Sequence, residues 1–337
     1  MIQEVIKKLS DRIDLEAKEI NFVFTEMMKG ELPDAQCKAF LLGLKAKEPS
    51  PEEIYQASSV LLGNLGYEQS YDHKLDIIDL CGTGGDSKSS INVSTISSLI
   101  LAAMGVKVAK HGNRSVSSKV GSADLIEAFG IHFDDSIEGA IESINNQNLS
   151  FLYAPNFHKS MKNVAHIRKE LKKRTIFNIL GPLTNPAQPT HYLLGAFSSE
   201  MADLMANALS GMNIERAFVI HGCNGWDEPT PICSFEIYDV TPNNIEFATR
   251  DPQEFGIPKC NSEDLQGGSA EYNAKSLLSV FENKDQGAHR DALMLGTALA
   301  LELTGVATNI EEGVQQAKET IENGAAAKFI RNLMQPD

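Results

Sequence analysis

Two glycine-rich segments carry residue types that bind phosphate. The first is Cys81-Gly82-Thr83-Gly84-Gly85-Asp86, with three glycines in four positions. Glycine lets a backbone approach a ligand closely and turn its N–H groups toward an anion. Ser87, Ser89, Ser90, Asn92, Val93, Ser94 and Thr95 follow, and hydroxyls at a helix start add donors where the helix end already favours negative charge. The segment is neither GxxxxGK(S/T) nor GxGxxG with an acid at the proper distance, so P-loop and dinucleotide readings fail. Alone, it fits a tight strand–helix turn equally well. The second segment is Lys110-His111-Gly112-Asn113-Arg114-Ser115-Val116-Ser117-Ser118. Its cations, imidazole, amide and hydroxyls around one glycine suit a polyanion.

Two further features add different chemistry. Residues 159–174 hold seven Lys and Arg against the single acid Glu170. Lys172 and Lys173 read as the solvated face of a helix. Arg168 differs, because a guanidinium can grip a carboxylate through two parallel hydrogen bonds. The next block, NILGPLTN (178–185), reads as a restricted Gly181-Pro182 turn, either a connector or a substrate contact. Asp227-Glu228 places adjacent carboxylates on a loop. A hard cation such as Mg²⁺ takes one or two carboxylates plus substrate phosphates. Trp226, the only tryptophan, reads as packing. His111, His158 and His221 lack metal-ligand spacing, so zinc is not expected. Two anion cradles and a carboxylate pair suit a diphosphate-bearing substrate, and an arginine suits a second substrate with a carboxylate.

The elements that must hold these loops follow from periodicity. Residues 1–70 read as helices. Ser50-Pro51-Glu52-Glu53 is a start signal with an N-cap Ser, a Pro at the first helical position and a Glu three residues past the cap. Helices are expected at 34–45, 93–104, 122–129, 200–212 and 285–303. Strands are expected at 75–80, 106–109, 151–154, 192–195, 217–220 and 235–240. Strands separated by helices argue for a largely parallel sheet, whose ligands bind at the carboxyl ends of its strands. Both glycine segments follow strands directly. The expected architecture is α/β: a small all-helical N-terminal domain (1–70, with a segment near 158–180 packing on it) joined to a larger domain (71–337) with a mostly parallel sheet flanked by helices.

Composition narrows the partners. The 337 residues include 30 Lys plus Arg and 45 Asp plus Glu, a net charge of -15. Such a surface repels phosphate backbones and anionic lipid, so no nucleic-acid and no membrane partner is expected. No apolar run approaches the ~20 residues of a membrane span, and the amphipathic N-terminus lacks a secretory apolar centre. Five cysteines at irregular spacing contain no CxxC, so neither a zinc knuckle nor a disulfide framework is expected, and a cytoplasmic location fits. Eleven of the 30 cations fall within residues 107–119 and 159–174, with one acid. The acidic chain is therefore cationic where phosphates and a carboxylate are expected.

With these residues assembled, the chain resembles the anthranilate phosphoribosyltransferases. The matching blocks are CGTGGD (81–86), NVST (92–95), KHGNRSVSS (110–118), GSAD (121–124), RTIFNILGPLTNPA (174–187) and the Asp227-Glu228 pair. The resemblance implies transfer of phosphoribose from phosphoribosyl pyrophosphate (PRPP) to the amino group of anthranilate, with pyrophosphate leaving, as a step of tryptophan biosynthesis. It implies that Gly82, Gly85, Asp86, Ser90, Asn92, Val93, Ser94 and Thr95 hold PRPP, that Lys110 through Ser118 close over it, and that Ser122 adds a contact. Anthranilate would meet Gly82, Asn113 and Arg168, with His111, His158, Gly181 and Pro182 lining its pocket. Ser94, Asp227 and Glu228 would hold Mg²⁺, two ions with PRPP. The implied fold is that of the nucleoside phosphorylases, the implied assembly a homodimer through the helical domain. No general base is assigned. Ser90, Phe157 and Pro229-Thr230-Pro231 depart from the family pattern and bear on pocket detail. Two other readings stay open here. A nucleoside phosphorylase would have no use for Asp227-Glu228, and a non-catalytic binding protein would carry a broad basic face.

Overall fold

The computed structural model describes residues 1–65, 76–84, 88, 90–115 and 119–334. Four helices open the chain: α1 (Ile2–Ser10), α2 (Ala17–Lys29), α3 (Asp34–Lys47) and α4 (Pro51–Gly63). The sequence signal at Ser50 starts α4. Glu53 N–H donates to Ser50 Oγ at 3.3 Å, and Ser50 N–H donates to Glu53 Oε2 at 2.7 Å, a reciprocal cap. Glu53 is fully buried, accepts from Leu15 N–H at 2.9 Å and pairs with Lys47 Nζ at 2.8 Å. One carboxylate thus starts α4 and ties it to the segment before α2 and to the end of α3.

Seven strands follow: β1 (Ile77–Gly82), β2 (Lys107–Gly112), β3 (Leu149–Tyr153), β4 (His191–Gly195), β5 (Arg216–Gly222), β6 (Phe235–Thr241) and β7 (Asn244–Arg250). They form one sheet in the order β3-β2-β1-β4-β5-β6-β7. The strands β3 to β5 are parallel, and β6 and β7 are antiparallel additions. Between β1 and β5 run α5 (Val93–Ala103), α6 (Ser122–Ala128), α7 (Ile137–Gln147), the one-turn α8 (Ala154–Phe157), α9 (Lys162–Leu171), α10 (Phe177–Leu183) and α11 (Ser199–Ser210). After β7 come α12 (Ala270–Phe281), α13 (Ala288–Leu303), α14 (Ile310–Glu322) and α15 (Ala325–Leu333).

Two departures from the sequence reading have local causes. The strand β7 has no counterpart there, because it is an edge strand with mostly exposed residues. Its pairing with β6 defines it, along with Phe247 against Tyr238 at 5.0 Å between ring centroids. The block 178–185 is not a free turn: most of it forms α10, with Pro182 in the last turn. Proline there costs only one backbone bond, and Thr184 closes the end by donating Oγ1 to Leu180 O at 2.8 Å.

The sheet sorts its side chains by period two. On β4 and β5, Leu193, Phe218 and Ile220 face a core shared with α5, α12 and α13. Tyr192, Leu194, Ala217 and Val219 face a core shared with α11 and the N-terminal helices. The helical bundle is therefore continuous with one face of the sheet. The helix α9 lies against α2 and α3: Asn163 Nδ2 donates to Met28 O at 2.7 Å, His166 Nε2 meets Asp34 Oδ2 at 3.0 Å, and Lys38 pairs with Glu170.

Candidate active site

The strand order reverses between β1 and β4, and Gly82 at the end of β1 sits opposite Gly195 at the end of β4. Such a switch point opens a crevice at the carboxyl ends of the strands. The first glycine segment leaves β1 into this crevice: Thr83 N–H donates to Gly195 O at 2.9 Å. Beyond it, α5 is buried along nearly its whole length. Its N-terminal turn, at Asn92 and half-buried Ser94, is the part that reaches the crevice.

Asp227 and Glu228 close the crevice from above. Asp227 Oδ2 accepts the Gly84 N–H at 2.6 Å, and Glu228 Oε1 accepts the Ser94 N–H at 3.2 Å. The carboxylate pair thus lies on the donors that the sequence reading reserved for a phosphate. Glycine makes this approach possible. A Cβ on Gly195 would collide with the Asp227 carbonyl oxygen, and one on Gly222, at the end of β5, would lie 2.5 Å from the Glu228 carbonyl oxygen. Below, Trp226 is buried in the sheet core, as its packing role required. The donor set of two carboxylates and the Ser94 hydroxyl is hard and smaller than a full cage. It fits a Mg²⁺ ion shared with substrate phosphates.

The second segment is rooted on a buried polar network. Asp79 on β1 accepts from His111 N–H at 3.2 Å and from Asn185 Nδ2 at 2.8 Å, and the same amide donates to Ala109 O at 2.8 Å. Burial pushes the Asp79 carboxyl up to about 6, against the pull of Lys110. Lys110 is itself buried, and its ammonium donates to Leu80 O. It therefore braces β2 against β1 rather than presenting its charge to the crevice. Farther along, Arg114 pairs with Asp124 at 3.1 Å and with Glu127 at 2.5 Å on α6. Gly121 N–H and Ser115 N–H both donate to Asp124 Oδ2, and Ser122 Oγ donates to Asn113 O at 3.3 Å. These bonds hold the described part of the loop over the start of α6. Asn92 joins the two segments by donating Nδ2 to Val120 O at 3.0 Å. Val93 and Thr95 are buried in the core, and Thr95 N–H donates to Asn92 O at 3.1 Å in the first turn of α5. Ser90 pairs with Gln266, so the chain before α12 also borders the site.

His158 and the Gly181 backbone lie beside His111. Its ring lies 5.4 Å from that of His158, and His158 Nε2 meets Thr184 O at 2.9 Å. Burial, then His158 and Lys110, hold the His111 imidazole well below its ordinary value, while the Gly181 backbone pulls the other way. Burial lowers His158 as well. Both rings are kept neutral. The Gly181 backbone thus lies against His111, and Pro182 is buried in the following turn of α10. Arg168 lies 5.2 Å over the Phe177 ring. Burial lowers its pKa, and among the described residues no carboxylate pairs with it. Gly85, Asp86, Val116, Ser117 and Ser118 lie outside the described residues.

Four features escaped the sequence reading. Asp79 carried a signal, a carboxylate among Ile77, Ile78 and Leu80, since a charge in a buried strand needs partners. Asn185 and the seats at Gly195 and Gly222 carried none, because their roles are long-range. The fourth corrects an expectation: Cys223 and Cys233 form a disulfide with Cα atoms 6.2 Å apart. The irregular cysteine spacing hid a pair that closes a single loop.

Known proteins resemble this chain along nearly its whole length. The model of the "Glycosyl transferase family, helical bundle domain" matches residues 3–64, and that of the "Glycosyl transferase family, a/b domain" matches residues 74–327. The chain is 41% identical over 333 residues to anthranilate phosphoribosyltransferase of Persephonella marina, covering 99% of this chain and 98% of the relative. It is 42% identical over 335 residues to the Acetivibrio thermocellus protein of the same name, covering 99% and 96%. A solved anthranilate phosphoribosyltransferase from Thermus thermophilus superposes with TM-score 0.87 at 34% identity, covering 98% of each chain. The Saccharomyces cerevisiae protein in complex with PRPP and Mg superposes with TM-score 0.86 at 25% identity, covering 99% and 96%.

Proposed function

The chain belongs to the anthranilate phosphoribosyltransferase family, and we propose that its glycine segments, Asp227-Glu228 pair and Arg168 carry that family's reaction. The enzyme transfers phosphoribose from PRPP to the amino group of anthranilate, giving N-(5-phosphoribosyl)anthranilate and pyrophosphate in tryptophan biosynthesis. It is a Mg²⁺-dependent glycosyltransferase. The observation that carries the site assignment is the meeting of both carboxylates with the Gly84 and Ser94 N–H groups at the strand ends.

In this reading PRPP lies in the crevice, with its diphosphate toward Gly82, Ser94 and the start of α5. Gly84 and Ser94 would donate to phosphate oxygens, and Asp227 and Glu228 would ligate metal with the Ser94 hydroxyl. Mg²⁺, two ions in our proposal, neutralises charge on the departing pyrophosphate when bound. Preorganised N–H donors stabilise that charge at no reorganisation cost at the moment of reaction. The second loop covers the ribose, with Asn113 toward anthranilate. Arg168, desolvated and without a carboxylate partner among the described residues, receives the carboxylate of anthranilate. The neutral His111–His158 pair and Gly181-Pro182 form an uncharged wall for the aromatic ring. The amine of anthranilate is neutral at pH 7 and needs positioning more than deprotonation, so no general base is invoked.

We further propose a division into a helical domain (residues 1–70) and an α/β domain (71–337), a homodimer formed through the former, and a cytoplasmic location. Among the described residues no helix is long and apolar enough to cross a membrane.

Arg168→Ala tests the carboxylate assignment. Losing a charge-assisted pair costs about 1.5–3 kcal/mol, so kcat/KM for anthranilate should fall about 10- to 100-fold while KM for PRPP stays within twofold. Equal losses toward both substrates would remove Arg168 from this role.

A further inference from the structure

The Cys223–Cys233 disulfide encloses the segment that bears both candidate carboxylate ligands of the metal. The cysteines are 10 residues apart, with Asp227 and Glu228 between them. Cys223 leaves the end of β5 in a short turn that Gly222 N–H closes on Trp226 O at 2.9 Å. Cys233 lies two residues before the start of β6, and Cys260 N–H donates to Pro231 O at 3.1 Å just before it. The segment therefore hangs from two antiparallel neighbours and rests on Gly195 and Gly222. Pro229 and Pro231 fix two more backbone angles within the same ring. Both cysteines are half-buried, open enough for thiol exchange, whereas Cys37 is buried and its thiol is pushed up to about 11.

We propose that the Cys223–Cys233 disulfide is a reversible clasp that positions Asp227 and Glu228 and so sets the affinity of the site for Mg²⁺ with diphosphate. The inference rests on the assignment of those carboxylates as metal ligands. With the clasp closed, the loop is held on its Gly195 and Gly222 seats, which keeps both carboxylates at the strand ends. With it open, the loop keeps its seat but samples more conformations, and the two ligands converge less often. The exchange balances with a low-molecular-weight disulfide such as glutathione disulfide. One cysteine thiolate attacks a reagent sulfur and expels a first thiolate. The other then attacks the mixed disulfide and expels the second. The protein gives up two electrons and two protons, and the reagent leaves as two thiols.

The test compares wild-type enzyme treated with glutathione disulfide and with excess dithiothreitol. After denaturation the oxidised form should titrate three thiols, Cys37, Cys81 and Cys260, and the reduced form all five. Calorimetric titration with Mg²⁺ plus inorganic pyrophosphate should show binding about 10-fold weaker in the reduced form, part of the roughly 100-fold that ring-closure entropy could supply for a loop of this length. The Cys223→Ser/Cys233→Ser variant should bind like the reduced form and ignore the oxidant. A purely structural bond would lower the melting temperature or the active fraction but leave the dissociation constant unchanged. Five thiols after oxidation, or equal affinity in both forms, overturns the clasp. Asp227→Asn/Glu228→Gln separates the two claims. If it binds in neither form, the metal assignment stands whatever the clasp does; if it binds like wild type, that assignment and the clasp fall together.

Discussion

Single residues decide how the crevice is built, and several are glycines or buried ions. Gly195 has no Cβ because the Asp227 carbonyl oxygen occupies that space. Gly195→Ala should cost about 1–3 kcal/mol by overpacking and raise the Mg²⁺ concentration needed for half-maximal rate; chemical denaturation and a Mg²⁺ titration check both. Asp227→Asn with Glu228→Gln should lower kcat about 100-fold or more with an unchanged circular dichroism spectrum. Near-wild-type turnover would remove the pair from metal binding. The buried histidines give a pH signature. His158 is lowered in the fold by burial, so below its ordinary value of about 6.5 the unfolded chain takes up a proton that the folded chain refuses. Stability from neutral His158 is present above pH 6.5 and lost as pH falls. The urea midpoint of the wild type should therefore drop relative to His158→Gln between about pH 7 and pH 5, and parallel midpoints would contradict a neutral buried ring. At this scale the sequence showed which residue types were present and little of their partners. The sequence offered Asp227-Glu228 as a carboxylate pair and Ser94 as a helix-start donor, and the fold brings them together at the strand ends. The partners of Lys110 and Arg114 were not legible, because composition cannot say that one is buried against Leu80 and the other paired with α6.

Elements place these residues, and most of them were legible. The start of α4, α5 after NVST, α6 after GSAD and six strands follow from caps and periodicity, since each is specified by its own residues. Part of what stayed hidden depends on a neighbour: β7 exists through β6, and α10 takes its place from a polar network around Asp79; α12 and α14 were passed over although Ser269 and Asn309 cap them locally. Asn185 joins β1, β2 and the chain after α10 through two donated bonds. Asn185→Ala leaves the Asp79 carboxylate and the Ala109 carbonyl short of partners and should destabilise by about 1–3 kcal/mol. Because it also loosens the root of the second glycine segment, KM for PRPP should rise; stability loss with unchanged KM would show that β2 needs no such brace.

The whole molecule combines a net charge of -15 with two cation-rich segments. Of these, Lys110 and Arg114 are spent on structure. That leaves a weaker general pull on anions and concentrates recognition in the cradle. Salt should accordingly raise KM for PRPP only a few-fold between about 50 and 500 mM NaCl, where screening lengths shrink from over 10 Å to a few Å. A loss of several hundred-fold would indicate a far broader basic surface. The central claim is that the crevice between β1 and β4 passes phosphoribose from PRPP to anthranilate. It is tested most directly by following anthranilate fluorescence with the purified enzyme, PRPP and Mg²⁺. The account predicts a loss of signal that stops when PRPP, Mg²⁺ or enzyme is left out. An undiminished signal with all components present would contradict it.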